Sequence, residues 1–292
     1  PLPLCRCWNT IMALALRSRE AERLSARSGS LFLLVKALNR FFAAIMKVLI
    51  VYAHPEPSSF NGSMKDLAVK VLTSQGHDVQ VSDLYAIGWN PVTGPHDFTG
   101  GRSDPDRLSI AREQTHAMEH GTIAPEIKAE QDKLLQADFL ILQFPIWWFG
   151  PPAILKGWFD RVFARGFAYH TGRKYDTGMF KNKLAMVATT TGTSAQTYAP
   201  DGIDGSLLTV LWPIHNGLLR YAGFDVLAPF VAHMPGKIGE AGRAEQLASY
   251  ERRLETLGDT PRLYFHPAED YGADERLKPG VLARSGVQRN VW

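Results

Sequence analysis

Residues 139 to 152 read FLILQFPIWWFGPP, an apolar run followed by three large aromatic residues and two prolines. The run from Phe139 to Leu142 does not alternate with polar residues, which is typical of a strand covered on both faces. Pro151 and Pro152 then open an amphipathic segment that predicts a helix as far as Phe163. The aromatic residues therefore lie at the carboxyl end of a central strand, the edge where open α/β sheets bind ligands.

Trp147, Trp148 and Phe149 are large and flat, and such side chains suit a large flat ligand such as a flavin ring. The alternative is that the rings fill a loop or a dimer interface. Three rings in a row at the ligand-binding edge favour the ligand.

From Met46 the chain alternates between strand and helix patterns. We predict strands at residues 47–52, 77–82, 139–144, 183–189 and 225–230, and helices at residues 62–75, 123–137, 151–163, 207–221 and 240–257. His116 and His120 are four residues apart in polar surroundings, and we assign them to a surface loop. The alternation predicts an α/β fold, a doubly wound five-stranded parallel sheet of order 2-1-3-4-5 with helices on both faces.

The net charge of +3 arises in the first part of the chain. Residues 1–45 contain seven Lys or Arg and two Glu, which leaves 25 basic and 27 acidic residues in the rest. We therefore predict no nucleic-acid partner. Both cysteines, Cys5 and Cys7, also lie in this part, so we predict no metal site in the body and a cytoplasmic location.

Residues 1–45 precede a methionine that is followed at once by a strand pattern. We expect them to be an N-terminal extension, either disordered or upstream of a true start at Met46; a transit peptide and an anchoring helix are the alternatives. The apolar run of residues 31–35 is too short to span a bilayer, so we predict no membrane span. The main domain is expected at residues 46–268 and a C-terminal tail at residues 269–292.

The loop after the first strand reads HPEPSSFN, residues 54–61, and lacks the Gly-x-Gly-x-x-Gly pattern of dinucleotide-binding folds. Ser58, Ser59 and Asn61 offer side-chain donors beside a helix N-terminus, which favours a phosphate group. His54 adds a further contact. The alternative is that Ser59 or Asn61 is an ordinary helix cap.

The loop after the fourth strand, residues 189–198, is rich in threonine and continues to Gly205. Small residues let backbone amides approach a ligand closely. Thr191, Gly192 and the Tyr198 hydroxyl are candidate donors to the flavin edge on which charge accumulates during reduction.

Several segments of residues 46–267, taken in order, resemble the NAD(P)H:quinone oxidoreductase family of flavodoxin-like flavoproteins. They are Ala53-His54 with Ser59-Phe60-Asn61, Ser82-Asp83-Leu84-Tyr85, Phe144-Pro145 with Trp148-Phe149-Gly150, the segment from Pro152 to Trp158, Thr190-Thr191-Gly192, Leu211-Trp212-Pro213-Ile214 and Leu263-Tyr264-Phe265.

The resemblance implies a homodimer with FAD at the carboxyl edge of the sheet; FMN is the alternative cofactor. His54, Phe60 and Asn61, together with Ser59, would hold the phosphates, and Arg243 would lie near the adenine. The ring would be lined by Pro145, Ile146, Trp147, Trp148 and Phe149, and its edge contacted by Thr190, Thr191, Gly192, Thr193 and Tyr198. Tyr169 and Tyr221 match pocket positions that the partner subunit contributes.

The implied activity is two-electron reduction of quinones and similar acceptors by NAD(P)H. In this ping-pong reaction a hydride passes to the flavin, and the quinone then stacks on Trp148 and Phe149 in place of the nicotinamide. The family pairs a catalytic tyrosine with a histidine; Tyr198 matches the tyrosine, but Asp204 stands where the histidine is expected. An aspartate cannot supply a positive charge, and it donates a hydrogen bond only when protonated.

Two other functions share these loops. One is a one-electron carrier of the flavodoxin type, and the other is a regulatory flavoprotein subunit of a potassium efflux system. The open stacking surface argues against the carrier, and the segments beginning at Ser82 and Leu211 look closer to the stand-alone enzymes than to the regulatory subunits.

Overall fold

A computed structural model describes residues 45–284, so the predicted extension lies outside this range except for Ile45. The strands are β1 (Lys47–Tyr52), β2 (Asp78–Asp83), β3 (Phe139–Pro145), β4 (Leu184–Thr191), β5 (Asp225–Val226) and β6 (Phe230–His233). The helices are α1 (Phe60–Ser74), α2 (Ile110–His120), α3 (Pro125–Gln136), α4 (Ala153–Val162), α5 (Leu207–Val210), α6 (Trp212–Ile214) and α7 (Gly239–Glu255), with a π-helical turn at His215–Arg220.

All six strands pair in parallel. The order is β2-β1-β3-β4-β5, and β6 pairs with β4 beyond the end of β5. The predicted fold class and strand order are confirmed. Because the strands run the same way, the loops after β1, β3, β4 and β6 leave the sheet at one edge, its carboxyl edge.

The two faces of the sheet bury alternate residues of the same strands. Leu49 and Leu140 pack on one side with residues of α3 and α4, whereas Val48 and Phe139 pack on the other side with residues of α1 and α7. Burial of both faces explains why the strand patterns do not alternate. Each large apolar side chain that is fully buried contributes about 1.5–3 kcal/mol.

The predicted fifth strand, residues 225–230, is two strands in the structure. Leu227 N–H still donates to Ala185 O, but Ala228 N–H turns away to Pro261 O. Pro229 follows and has no N–H to continue the ladder, so pairing with β4 resumes only at Phe230. The sheet therefore has six strands rather than five.

The predicted helix at residues 207–221 is also divided. It consists of α5, α6 and the π-helical turn, and Pro213 lies inside the segment. Proline cannot donate the backbone hydrogen bond that a regular helix requires at this position. The other predicted helices and strands differ from the observed ones by a few residues at their ends.

The assignment of His116 and His120 to a surface loop is wrong. Both residues lie on α2, with ring centroids 4.2 Å apart. Gly121 ends this helix in the left-handed conformation with φ of 67°, as helix-terminating glycines commonly do. Among residues 45–284, no helix is both long and apolar enough to cross a membrane.

Candidate active site

The loop after β3 forms a tight turn, Trp147–Gly150, which we call the aromatic turn. Trp147 N–H donates to Gly150 O at 3.0 Å, and Gly150 N–H donates back to Trp147 O at 3.1 Å. The two central residues, Trp148 and Phe149, have φ of 50° and 61°. Turns with two positive φ angles normally contain Asn or Gly, because a side chain there costs about 1–2 kcal/mol per residue.

The rings of the aromatic turn face water. Trp148 is 97% exposed, Phe149 52% and Trp147 43%. Strained backbone that presents large apolar side chains to solvent is a feature of ligand-binding sites. The preceding residues Pro145 and Ile146 belong to the scaffold: Pro145 is buried at the end of β3, and Ile146 N–H donates to Thr190 O at 2.9 Å.

The loop after β1 comes next to this turn, since the His54 and Trp147 ring centroids are 6.2 Å apart. His54 Nδ1 lies 3.1 Å from both the N and the O atom of Glu56. When Nδ1 accepts the Glu56 N–H, the proton of the neutral ring is on Nε2, where it can be donated to a ligand. Ser59 is the helix cap of α1, because its hydroxyl accepts the Gly62 N–H at 3.1 Å. The N–H groups of Phe60 and Asn61 stand in the first turn and have no acceptor within the helix.

Gly62 explains how the loop fits against α1. A Cβ atom at this position would lie 1.9 Å from Pro57 O, so only glycine allows the loop to close over the first turn of the helix. The closure brings His54 and the first amides of α1 to the same edge. Helix N-termini of this kind bind phosphate groups.

A buried polar triad, Asn61, Gln143 and Thr190, connects the first turn of α1 to the ends of β3 and β4. Gln143 Nε2 donates to Asn61 Oδ1, and Asn61 Nδ2 donates to Thr190 Oγ1, both at 2.9 Å. All three side chains are buried. The Asn61 side chain therefore joins α1 to β3 and β4, and the sequence analysis did not identify Gln143.

The loop after β4 brings Tyr198 and Asp204 together through a threonine. Thr193 Oγ1 donates to Asp204 Oδ2 at 3.4 Å and accepts from Thr197 Oγ1 at 2.9 Å. Partial burial raises the pKa of Tyr198, a hydrogen bond with Thr193 lowers it and the negative charge of Asp204 raises it, with a net upward shift. The Tyr198 hydroxyl therefore keeps its proton at neutral pH and can donate a hydrogen bond.

The other residues predicted at the flavin edge differ in exposure. Thr190 and Thr191 are buried, whereas Gly192 and Thr193 are exposed, and a Cβ atom at Gly192 would meet no atom within 4 Å. Backbone amides at Gly192 are thus open to a ligand. Tyr198 also lies near the aromatic turn, with its ring centroid 6.5 Å from that of Phe149.

Three predicted residues lie away from this cluster or at its margin. Arg243 is in the second turn of α7, which follows the carboxyl end of β6, and its guanidinium contacts Pro235 O at 3.4 Å. Tyr169 and Tyr221 pack against each other with ring centroids 5.6 Å apart. They line a separate cavity of about 430 Å³, which shares no residue with the aromatic turn.

One residue of the edge was missed by the sequence analysis. His233 ends β6, its ring centroid lies 6.3 Å from that of Tyr198, and its Nδ1 is 2.8 Å from Thr191 Oγ1. Burial lowers the pKa of His233, an effect partly opposed by a hydrogen bond with the Thr193 backbone. A histidine at the end of a strand on the ligand-binding edge was the available signal.

Residues 46–254 match the family described as having a flavodoxin-like fold. The chain is 42% identical to NAD(P)H dehydrogenase [quinone] 1 of Rattus norvegicus over 84% of this chain and 89% of the relative. It is 44% identical to ribosyldihydronicotinamide dehydrogenase [quinone] of Mus musculus over 75% of this chain and 97% of the relative. The chain belongs to the NAD(P)H:quinone oxidoreductase family.

A solved structure agrees with this assignment. A Klebsiella pneumoniae protein described as a candidate quinone reductase superposes with a TM-score of 0.77 at 40% identity, covering 82% of this chain and 98% of that chain. The predicted family and the prediction of an enzyme, an oxidoreductase of the quinone-reductase class, are confirmed. In this NAD(P)H:quinone oxidoreductase family member, the carboxyl edge carries the exposed rings, the amides of a helix N-terminus and a protonated tyrosine side by side.

Proposed function

We propose that the chain catalyses two-electron reduction of quinones and similar acceptors by NAD(P)H, with a flavin bound at the carboxyl edge. The observation that carries this proposal is the aromatic turn, in which strained backbone holds Trp148 97% exposed and Trp147 lies beside His54 of the loop after β1. Exposed rings of this kind stack on flat ligands. The names of the relatives, which specify NAD(P)H, ribosyldihydronicotinamide and quinone, support the same chemistry.

The residues present fit a flavin cofactor. Its phosphates would meet His54 Nε2 and the N–H groups of Phe60 and Asn61, in the cradle that Gly62 keeps open. Its ring would lie against the aromatic turn, with Gly192 and Tyr198 at its edge. When bound, the flavin supplies the means to accept a hydride from NAD(P)H and deliver it to a quinone.

We propose FAD rather than FMN as the natural cofactor. Arg243 lies beyond β6, on α7, away from the phosphate cradle in the chain. Only a dinucleotide has an adenine to place near it.

The protein side chains bind and orient the reactants. Trp148 and Phe149 offer one stacking surface, so NAD(P)H and quinone would occupy it in turn, which is a ping-pong order. Tyr198 keeps its proton and donates a hydrogen bond where negative charge develops. Asp204 accepts a hydrogen bond from Thr193 and so positions the loop that carries Tyr198.

We further propose a homodimer in the cytoplasm. Tyr169 and Tyr221 pair with each other away from the aromatic turn, and a second subunit could place them over it. The cytoplasmic location rests on the absence of cysteine after Cys7.

The proposal is tested by anaerobic stopped-flow spectroscopy of the purified protein, after the bound cofactor has been released and identified. We expect NADPH to bleach the flavin and menadione to restore its absorbance. Trp148→Ala should lower kcat/KM for the quinone about tenfold, since a lost stacking contact costs about 0.5–1.5 kcal/mol. Leu282→Ala is the matched control, because Leu282 is also an exposed apolar residue, at 81%.

Three results would contradict the proposal. A flavin that NADPH does not bleach would exclude the reductase. Accumulation of one-electron-reduced flavin during turnover would indicate a carrier. Flavin binding that changes potassium efflux without quinone turnover would indicate a regulatory subunit.

A further inference from the structure

His233 is held at the carboxyl edge by the pairing of two strands. Thr191, the last residue of β4, is the register partner of His233, the last residue of β6. Met234 N–H donates to Thr191 O at 2.8 Å, and Gln246 Nε2 donates to His233 O at 2.7 Å. The backbone on both sides of the imidazole is therefore fixed.

The hydrogen bonds of Thr191 determine which ring nitrogen carries the proton. The Thr191 hydroxyl has one hydrogen, and it donates this hydrogen to Thr193 O at 2.7 Å. It can therefore only accept from His233 Nδ1, which lies 2.8 Å away, so Nδ1 must be protonated. In the neutral ring the lone pair is then on Nε2, and this nitrogen can take up a proton.

A tyrosine lies beside the ring, and an acidic residue lies on the same loop as that tyrosine. Tyr198 lies beside the imidazole, and Asp204 is linked to the same loop through Thr193. On the segment after β6 the nearest charged residues in sequence are Lys237 and Glu240, followed by Arg243. Burial lowers the pKa of His233, so the ring is neutral at neutral pH before any ligand charge develops.

The Tyr198 ring is near two other rings, with centroid separations of 6.5 Å from Phe149 and 6.3 Å from His233. A ligand stacked on the aromatic turn would therefore have Tyr198 near one edge and His233 next to Tyr198. Negative charge that develops there would favour protonation of the imidazole. Asp204 cannot respond in this way, because a carboxylate adds negative charge.

We propose that His233 is a positioning residue that takes up one solvent proton at Nε2 when the bound flavin is reduced, and that it acts through Thr191 and Tyr198. This inference rests on the proposed function. The step is balanced: one proton leaves solvent and forms an Nε2–H bond, and the Nδ1–H bond to Thr191 stays unchanged. Reoxidation by the quinone returns the proton.

The test uses the flavin-loaded protein, reduced anaerobically with dithionite. Histidine ¹⁵N NMR of the wild-type protein at pH 7.5 should show His233 with a protonated Nδ1 in both redox states and a protonated Nε2 only after reduction. In weakly buffered solution, His233→Gln should take up about one proton fewer per flavin than the wild type. Reduced flavin should also bind this variant about tenfold more weakly, with binding of oxidised flavin unchanged.

His120→Gln is the matched control, because His120 is exposed on α2, and it should take up as many protons as the wild type. The inference would be overturned if the ¹⁵N shift of His233 Nε2 does not change on reduction, or if His233→Gln takes up as many protons as the wild type. The NMR measurement uses only the wild-type protein, so it does not depend on the folding of a variant. If dithionite reduces the flavin but NADPH does not, the proposed function is rejected, and proton uptake by His233 can still be measured. A protein that binds no flavin would reject both.

Discussion

The aromatic turn and the polar triad lie at the same edge of the sheet, yet their physical properties are opposite. The aromatic turn is apolar, exposed and strained, with φ of 50° and 61° at its centre. The triad is polar and buried, and hydrogen bonds of 2.9 Å join its three side chains. The aromatic turn gains contacts only when a ligand binds, whereas the side chains of the triad are already hydrogen-bonded to one another.

This difference indicates that the triad contributes to stability and the aromatic turn to ligand binding. The hydrogen bonds within the triad offset much of the cost of burying three polar side chains, although Gln143 Oε1 has no hydrogen-bond partner among the described residues. The triad fixes the first turn of α1 against β3 and β4, and so fixes the loops that flank the aromatic turn. We therefore expect substitutions in the triad to lower the free energy of unfolding, and substitutions in the turn to change ligand binding instead.

The largest effect is expected for Asn61→Leu. This change leaves the Thr190 hydroxyl and the Gln143 amide without their shared partner in a buried site, and each unsatisfied group costs about 1–3 kcal/mol. We predict a loss of about 3–4 kcal/mol in the free energy of unfolding, measured by urea denaturation of the flavin-free protein.

Gln136→Leu is the control for this prediction, because it makes the same kind of change at an exposed position at the end of α3. It should alter the free energy of unfolding by less than about 0.5 kcal/mol. If Asn61→Leu is as stable as the control, the triad does not hold the strand ends together.

A further buried polar residue, His215, makes the free energy of unfolding depend on pH. His215 is 1% exposed, its Nε2 has no hydrogen-bond partner among residues 45–284, and burial lowers its pKa to about 4. The unfolded chain, with an ordinary histidine pKa near 6.5, binds more protons than the folded chain between pH 4 and 6.5. Stability is therefore full above pH 6.5 and is lost as the pH falls, by about 2 kcal/mol between pH 7 and pH 5 for this residue alone.

His215→Met should remove this part of the pH dependence, since methionine fills a similar volume and does not titrate. The measurement is the free energy of unfolding of both proteins at pH 7 and pH 5. His77 and His233 also have pKa values lowered by burial, so the difference between variant and wild type isolates His215. Equal slopes for the two proteins would show that His215 does not stay neutral in the fold.

The parts of the fold that have a local signal could be predicted from the sequence. β3 is an apolar run bounded by polar residues and prolines, and a strand buried on both faces needs nothing more to be recognised. The aromatic turn follows it directly, so its position at the carboxyl edge followed from the strand alone. The predicted strand order is confirmed, and this order determines which loops meet at the carboxyl edge.

The hydrogen bonds of the polar triad and of His233 could not be predicted, because the partners are distant in the chain. Gln143 and Thr190 are 82 and 129 residues from Asn61, and Thr191 is 42 residues from His233. Local patterns do not record which side chains face each other across a sheet. In the sequence Ser59 and Asn61 are equally good candidates for a phosphate contact. In the structure Ser59 caps α1, and the Asn61 side chain is buried.

Helix α2 was missed for a different reason. Its buried residues are Glu113, Gln114 and Ala117, so its inner face is mostly polar. Glu113 is satisfied by Ser103, whose hydroxyl and backbone N–H both donate to it. A helix that packs through hydrogen bonds lacks the apolar period from which amphipathic helices are recognised.

The smallest predicted effect tests the strain in the aromatic turn itself. We compare Trp148→Gly with Trp148→Ala; both remove the exposed ring, but only glycine adopts φ of 50° without a steric penalty. The penalty of about 1–2 kcal/mol is offset in part by the greater freedom of glycine in the unfolded chain. Trp148→Gly should therefore be more stable than Trp148→Ala by about 0.5–1 kcal/mol in urea denaturation. If the alanine variant is the more stable one, the turn relaxes when the ring is removed. The positive φ would then be caused by the tryptophan side chain and not by the fixed ends of the turn.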